Sequence, residues 1–275
     1  MESAHPVDWL YLYGIVRCSD LDLSAVAGVE SGRPVSLVAD DELACAVSCV
    51  PRADYSQDAM TARGEQLDWL APRAVRHQQV VDHLRQAGAV VPLRFGTLCA
   101  AAEDVRNVLR ARRELLERLL AAFEGRDEWG VKARANPGLT WQAMEVAADP
   151  MDGSPPATGG AAYFLRKKRQ KLAQERSTVR LAELDAEIYA FLLPYAVEAR
   201  RRPCQSSDPP QVPVLNAALL VDRGRSSALA EAVGGLEEQY RDYGVVVELS
   251  GPWAPYNFCG DLGQAPAAAG EPCAN

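Results

Sequence analysis

The stretch from Gly244 to Phe258, GVVVELSGPWAPYNF, constrains the fold of this chain more than any other. Val245 to Leu249 is a short β-branched run, the composition of a buried strand. Beyond it a helix is forbidden. Pro252 and Pro255 fix their own φ angles and push Gly251 and Ala254 toward extended conformations. Trp253, Tyr256 and Phe258 therefore hang on a stiff, extended segment just past a strand. Two roles fit such a segment. The aromatics can cap an open end of the core, or they can form a preorganised binding edge, since Trp and Tyr are favoured interface anchors. Phe258, furthest from the strand, is the better core plug, and Trp253, held between two prolines, the better exposed anchor.

The rest of the chain reads as alternating strands and helices. Trp9 to Val16 is apolar on both alternating faces, as in a central strand covered on both sides, with Gly14 marking a bulge or a close backbone approach. Val35 to Val38 and Ala44 to Val50 flank Asp40-Asp41-Glu42 as a hairpin. Tyr55 to Gly88 is helical, kinked or restarted at Pro72 and stopped at Gly88. Ala89 to Thr97 begins as a strand, which Pro92 confines to an edge or a bulge. Glu103 to Phe123 is an amphipathic helix with an apolar stripe from Val105 to Phe123.

After Gly125-Arg126-Asp127, a boundary, Trp129 to Arg134 reads as a strand and Leu139 to Ala148 as a short helix. Asp149 to Gly160 reads as a mobile loop. Ala161 to Arg202 is one long helix or two, broken at Pro194. Val214 to Val221 is a strand apolar on both faces, and Ser226 to Tyr240 a helix with Ser226 or Ser227 as N-cap. This order predicts an α+β protein of two domains with mostly antiparallel open sheets. The domains are 1–125 and 126–258, followed by a flexible tail, 259–275.

Composition excludes several classes of function. With 275 residues, 48% of them hydrophobic, the chain can bury a core without metal or disulfide staples. A net charge of -8 argues against a general binder of nucleic acid or membrane surfaces. The seven cysteines include no C-x-x-C pair and behave as reduced core thiols. Met1 to Asp8 lacks the basic start of a signal peptide, and no apolar run approaches the roughly 20 residues of a membrane helix. A cytoplasmic, soluble protein is expected.

Catalytic motifs are missing. Neither phosphate-binding glycine loop occurs, nor G-x-S-x-G. His77 and His83 diverge by roughly 240° on a straight helix and make no metal pair. The strongest local charge feature is Arg166, Lys167, Lys168 and Arg169, continued by Lys171, Arg176 and Arg180. It is either a solvated helix face or a contact for an acidic protein or RNA, though RNA recognition wants more aromatics than Tyr163 and Phe164.

Three stretches together resemble the GvpF/GvpL family of gas vesicle proteins. They are Tyr11 to Val16, Val91-Pro-Leu-Arg-Phe-Gly-Thr97 preceded by Arg76-His77, and Ser250 to Phe258. Trp129 to Lys132, Gly160 to Tyr163 and Asn216 fit the same pattern. The resemblance implies a second domain that is ferredoxin-like with a long helical insertion. It also implies a non-enzymatic role, without cofactor, in assembling gas vesicles. The partner it implies is the small, hydrophobic main shell protein, with other accessory proteins as further partners. The residues put forward for partner binding are Trp253, Tyr256, Phe258, Arg94, Phe95, Arg166, Lys167, Lys168 and Arg169. Two rivals remain: a small-molecule- or haem-binding α+β enzyme, and RNA binding through the basic segment.

Overall fold

The structure is a computed structural model that describes residues 8–18, 21–24, 26–63, 66–136, 138–139, 179–204 and 211–260. Its helices and antiparallel sheets make it an α+β protein. The chain divides into two compact units. The first comprises Met1–Asp127 together with Trp253–Asn275, and the second Glu128–Pro252.

The first unit is built on β1 (Trp9–Arg17), the all-apolar strand. It pairs antiparallel with β3 (Leu43–Val50) on one side, and with β4 (Val91–Pro92) and β5 (Leu98–Cys99) on the other. β2 (Ser36–Asp40) completes a hairpin with β3 around Asp41, whose φ of 57° makes the turn. The register of β1 against β3 shifts between Leu12 and Gly14. That bulge is where Gly14 is required: a Cβ there would lie 2.8 Å from Val90 Cγ2. Pro92, opposite Gly14, is on a two-residue edge strand, where a missing N–H costs no ladder bond.

Helix α1 (Arg52–Tyr55), α2 (Gln57–Arg63) and α3 (Leu67–Ala87) follow β3, with Pro72 inside α3 and Gly88 as its C-cap. The expected single helix from Glu103 to Phe123 is instead two, α4 (Ala102–Ala111) and α5 (Arg113–Phe123). They break at Arg112, whose φ of -117° and ψ of 14° leave the helical region. Arg110 and Arg113 both reach the hairpin carboxylate of Asp40, tying this helix pair to the β2–β3 turn. Arg85 and Asp127 form a 2.9 Å ion pair that is nearly buried.

The second unit's sheet has the order β7-β8-β6-β9. These strands are β6 (Arg126–Ala135), β7 (Glu198–Arg201), β8 (Val212–Asp222) and β9 (Val245–Trp253). β7 and β8 pair antiparallel. β9 also runs against β6, with Asn136 N–H on the Gly244 carbonyl and Ser250 Oγ on that of Gly130. The helix at 179–192, here α6, and α7 (Ser226–Tyr240) pack on this sheet through Leu184, Ile188, Leu192, Leu229, Val233 and Leu236. Among the described residues the unit therefore runs strand, helix, strand, strand, helix, strand.

Several expectations need correction. The segment Glu198–Arg201, expected to be helical, is a strand, because pairing with β8 overrides the helix propensity of Glu, Ala and Arg. Ser226 is not a cap: a 3-10 turn, Arg223–Arg225, runs directly into α7 and Arg225 occupies the N-cap without a side-chain bond. β9 is not buried on both faces. Val245 and Val247 are buried while Val246 is 40% exposed, so the strand alternates. Finally, Trp253 to Phe258 do not join the second unit. Ala254, fully buried, packs in the first unit's core, which carries the chain back across the expected boundary. Cys259, expected in the tail, is buried as well, with its thiol on the Pro255 carbonyl. The expected helix from Leu139 to Ala148 and the loop from Asp149 to Gly160 lie almost wholly outside the described residues.

Candidate interaction site

The returning segment Trp253 to Gly260 meets the first unit at His77, on the buried face of α3. The imidazole is sandwiched by aromatic rings: Tyr13 stacks on it at 5.6 Å, and Tyr11 and Phe95 meet it edge-on at 5.7 and 5.8 Å. Tyr11 in turn packs on Tyr13 and Tyr55. β1 supplies Tyr11 and Tyr13, the turn between β4 and β5 supplies Phe95, and the C-terminal segment supplies Tyr256.

Hydrogen bonds tie the ring to its neighbours. Tyr11 Oη accepts the Gly96 N–H at 3.0 Å and lies 3.0 Å from His77 Nδ1. The other ring nitrogen, Nε2, lies 3.3 Å from Tyr256 Oη. Tyr13 Oη accepts from Val29 N–H at 2.8 Å and shares a proton with Ser48 Oγ at 2.7 Å. Burial pushes the His77 pKa down to about 4, against a backbone hydrogen bond at Leu93, so the ring is neutral at neutral pH. Burial likewise pushes the phenols of Tyr11 and Tyr13 up, and both stay protonated. At neutral pH the imidazole of His77 and the phenols of Tyr11 and Tyr13 are thus all neutral.

A second network braces the N-terminal half of α3. Glu30 takes Arg73 in two bonds of 2.8 and 3.0 Å and accepts the Tyr55 hydroxyl at 2.7 Å. The Arg73 guanidinium lies 4.3 Å above the Trp69 ring. Arg76 donates to the Val29 carbonyl at 3.0 Å. These bonds hold the Ala27–Pro34 loop and α3 together beneath the His77 cluster.

The residues singled out in the sequence separate on this frame. Phe258 is 3% exposed and belongs to the core, which removes it from any contact surface. Trp253 is 40% exposed. Tyr256 and Phe95 are half-buried and meet through His77, while Arg94 beside Phe95 is exposed. Gly251 adopts a φ of 134°, and a Cβ there would lie 3.0 Å from the Glu128 carbonyl, so only glycine suits the approach to Trp253. The turn carrying Phe95 is locked by Thr97, whose N–H and hydroxyl both donate to the Arg94 carbonyl. Arg166, Lys167, Lys168 and Arg169 lie outside the described residues. Reading the sequence for chemistry missed His77 as the hub. Its signal was its place beside Arg76 on a helix facing two tyrosines of one apolar strand. Among the described residues no group of three or more His, Cys, Asp or Glu side chains could hold a metal ion, and no helix is long and apolar enough to cross a membrane.

Comparison with known proteins agrees with this architecture. The profile of the gas vesicle synthesis proteins GvpL/GvpF matches residues 9–260. The chain is 35% identical to gas vesicle protein L of Streptomyces sp. (strain CB03234), over 91% of this chain and 92% of that one. It is 27% identical to gas vesicle protein F of the same strain, over 90% and 98%. The crystal structure of GvpF from Anabaena sp. PCC7120 superposes with a TM-score of 0.69 at 20% identity, covering 96% of this chain and 99% of that chain. GvpF from Microcystis aeruginosa gives 0.63, also at 20%, covering 91% and 98%. At that identity the two crystal structures speak for the fold, and the sequence match carries the relationship: the chain belongs to the GvpL/GvpF family of gas vesicle synthesis proteins.

Proposed function

We propose that this chain is a non-enzymatic gas vesicle assembly factor or minor vesicle component that binds the main shell protein and assists its nucleation or assembly. Membership of the GvpL/GvpF family supports the gas vesicle role. One observation supports the finer reading: Tyr256 and Phe95 both meet His77, Arg94 beside Phe95 is exposed, and Trp253, 40% exposed, opens the segment that carries Tyr256. An apolar shell subunit needs a surface that covers its exposed segments before it polymerises. A rigid aromatic edge with an exposed arginine meets that need at low entropic cost. Arg166, Lys167, Lys168 and Arg169 add an electrostatic contact in this reading, and other accessory proteins are further partners. The order of elements in the second unit supports a ferredoxin-like reading of that unit. The test is co-purification of tagged chain with the main shell protein in the presence of nuclease. Retention of the shell protein is expected. Its absence, or its loss on nuclease treatment, overturns the proposal.

A further inference from the structure

A different surface, independent of the aromatic edge, is formed by β7. It ends its sheet and has β8 as its one neighbour among the described residues. The register runs from Glu198 opposite Leu220 to Arg201 opposite Ala217, and the Arg202 N–H continues it on the Asn216 carbonyl at 2.7 Å. In an antiparallel ladder, residues two apart turn their main-chain groups the same way. Glu198, Arg200 and Arg202 thus spend theirs on β8, and Ala199 and Arg201 turn theirs to the free edge.

The side chains alternate with the same period. Arg201 folds over the Tyr189 ring at 4.2 Å and pairs with Asp185 at 2.7 Å, while Ala199 packs against the core. Glu198, Arg200 and Arg202 project from the other face, where Arg200 and Glu198 pair at 2.7 Å and stay about half exposed. Just before the strand, Phe191, Leu193 and Val197 are 43%, 44% and 49% exposed. An open main-chain edge is thus combined with consecutive arginines and a small apolar patch, in a chain whose net charge is -8.

We propose that the free edge of β7 accepts an extended, acidic segment of a partner protein as an added strand. Its main chain pairs with Ala199 and Arg201, its carboxylates lie beside Arg200 and Arg202, and an apolar residue rests on Val197. Strand addition of this kind takes affinity from main-chain bonds and selectivity from alternate side chains. The charge selects the occupant. A second copy of the chain, paired Ala199 to Arg201, would set Arg200 opposite itself, a destabilising like-charge pair, and would offset it only by setting Glu198 opposite Arg202. The same arginines keep neutral and basic strands off the edge.

The probe is a fluorescent peptide alternating glutamate and valine, titrated into the full chain at low salt with fluorescence anisotropy as readout. Saturable binding is expected, weakened about tenfold or more by the Arg200→Glu/Arg202→Glu double variant. Ala199→Pro removes an outward N–H and no bond to β8, so it weakens binding while the thermal melt stays at the parent's value. The proposal is overturned if the peptide does not bind, or if Ala199→Pro binds it like the parent. It is also overturned if a lysine–valine peptide or a polyuridine strand binds as tightly. Should Ala199→Pro fail to fold, amide exchange in the parent decides. The Ala199 and Arg201 amides must gain protection when the glutamate–valine peptide binds, and unchanged exchange rates refute strand addition.

Discussion

Replacing His77 by Gln should flatten the acid side of the stability profile. Burial lowers the His77 pKa from 6.5 to about 4. Between those values the unfolded chain binds a proton that the folded chain refuses. Stability from this group is therefore fully present above about pH 6.5, falls as pH drops toward about 4, and levels off below. At 1.36 kcal/mol per pKa unit the loss amounts to about 3 kcal/mol. Among the described residues the ring meets Tyr11, Tyr13, Phe95, Tyr256 and the Leu93 backbone, none of them a carboxylate. Carboxylates elsewhere titrate over the same range, and the variant removes them by difference. Gln stays neutral throughout, so parent and variant should converge on acidification, with the gap between them shrinking by about 3 kcal/mol from pH 7 to pH 4. Urea unfolding monitored by tryptophan fluorescence at a series of pH values measures it. Parallel profiles for the two proteins would refute the claim that His77 is held neutral inside the first unit.

Gly14→Ala should destabilise the fold by about 1–3 kcal/mol, because the new methyl must displace Val90 at the β1 bulge; an unchanged melt would contradict that close approach. Arg85→Ala should cost about 3 kcal/mol, since it removes the ion-pair partner at 2.9 Å from the nearly buried Asp127 carboxylate, whereas Arg106→Ala, in an exposed pair, should cost about 1 kcal/mol or less. Urea melts of the two variants side by side test this contrast.

The sequence discloses elements whose cause is local. β1 and β8 are legible because both faces are apolar, the β2–β3 hairpin because acids fill its turn, and the Gly14 bulge because glycine weakens a strand without other reason. What it conceals depends on distant partners. The strand at Glu198–Arg201 has helical composition and is extended only because β8 lies beside it. Trp253 to Phe258 follow a strand of the second unit, and nothing local says that Ala254 and Tyr256 return to the first. His77 reads as an isolated helix histidine until Tyr11, Phe95 and Tyr256 are brought to it from three other segments. In the segment that carries the candidate site, the difference in exposure between Phe258 and Trp253 was legible from their distance to the strand and from the flanking prolines. The His77 cluster that receives Tyr256 was not.

Binding of the main shell protein by Trp253→Ala and Phe258→Ala, measured beside the thermal melt of each, tests the central proposal most directly. Phe258 is buried, so its truncation should cost about 3–5 kcal/mol of stability. Trp253 is 40% exposed, so Trp253→Ala should melt within about 1 kcal/mol of the parent yet lose about 2 kcal/mol or more of affinity for the shell protein. Parent-like binding by Trp253→Ala, or a loss of affinity in both variants that merely tracks their loss of stability, would contradict the aromatic edge as the docking surface.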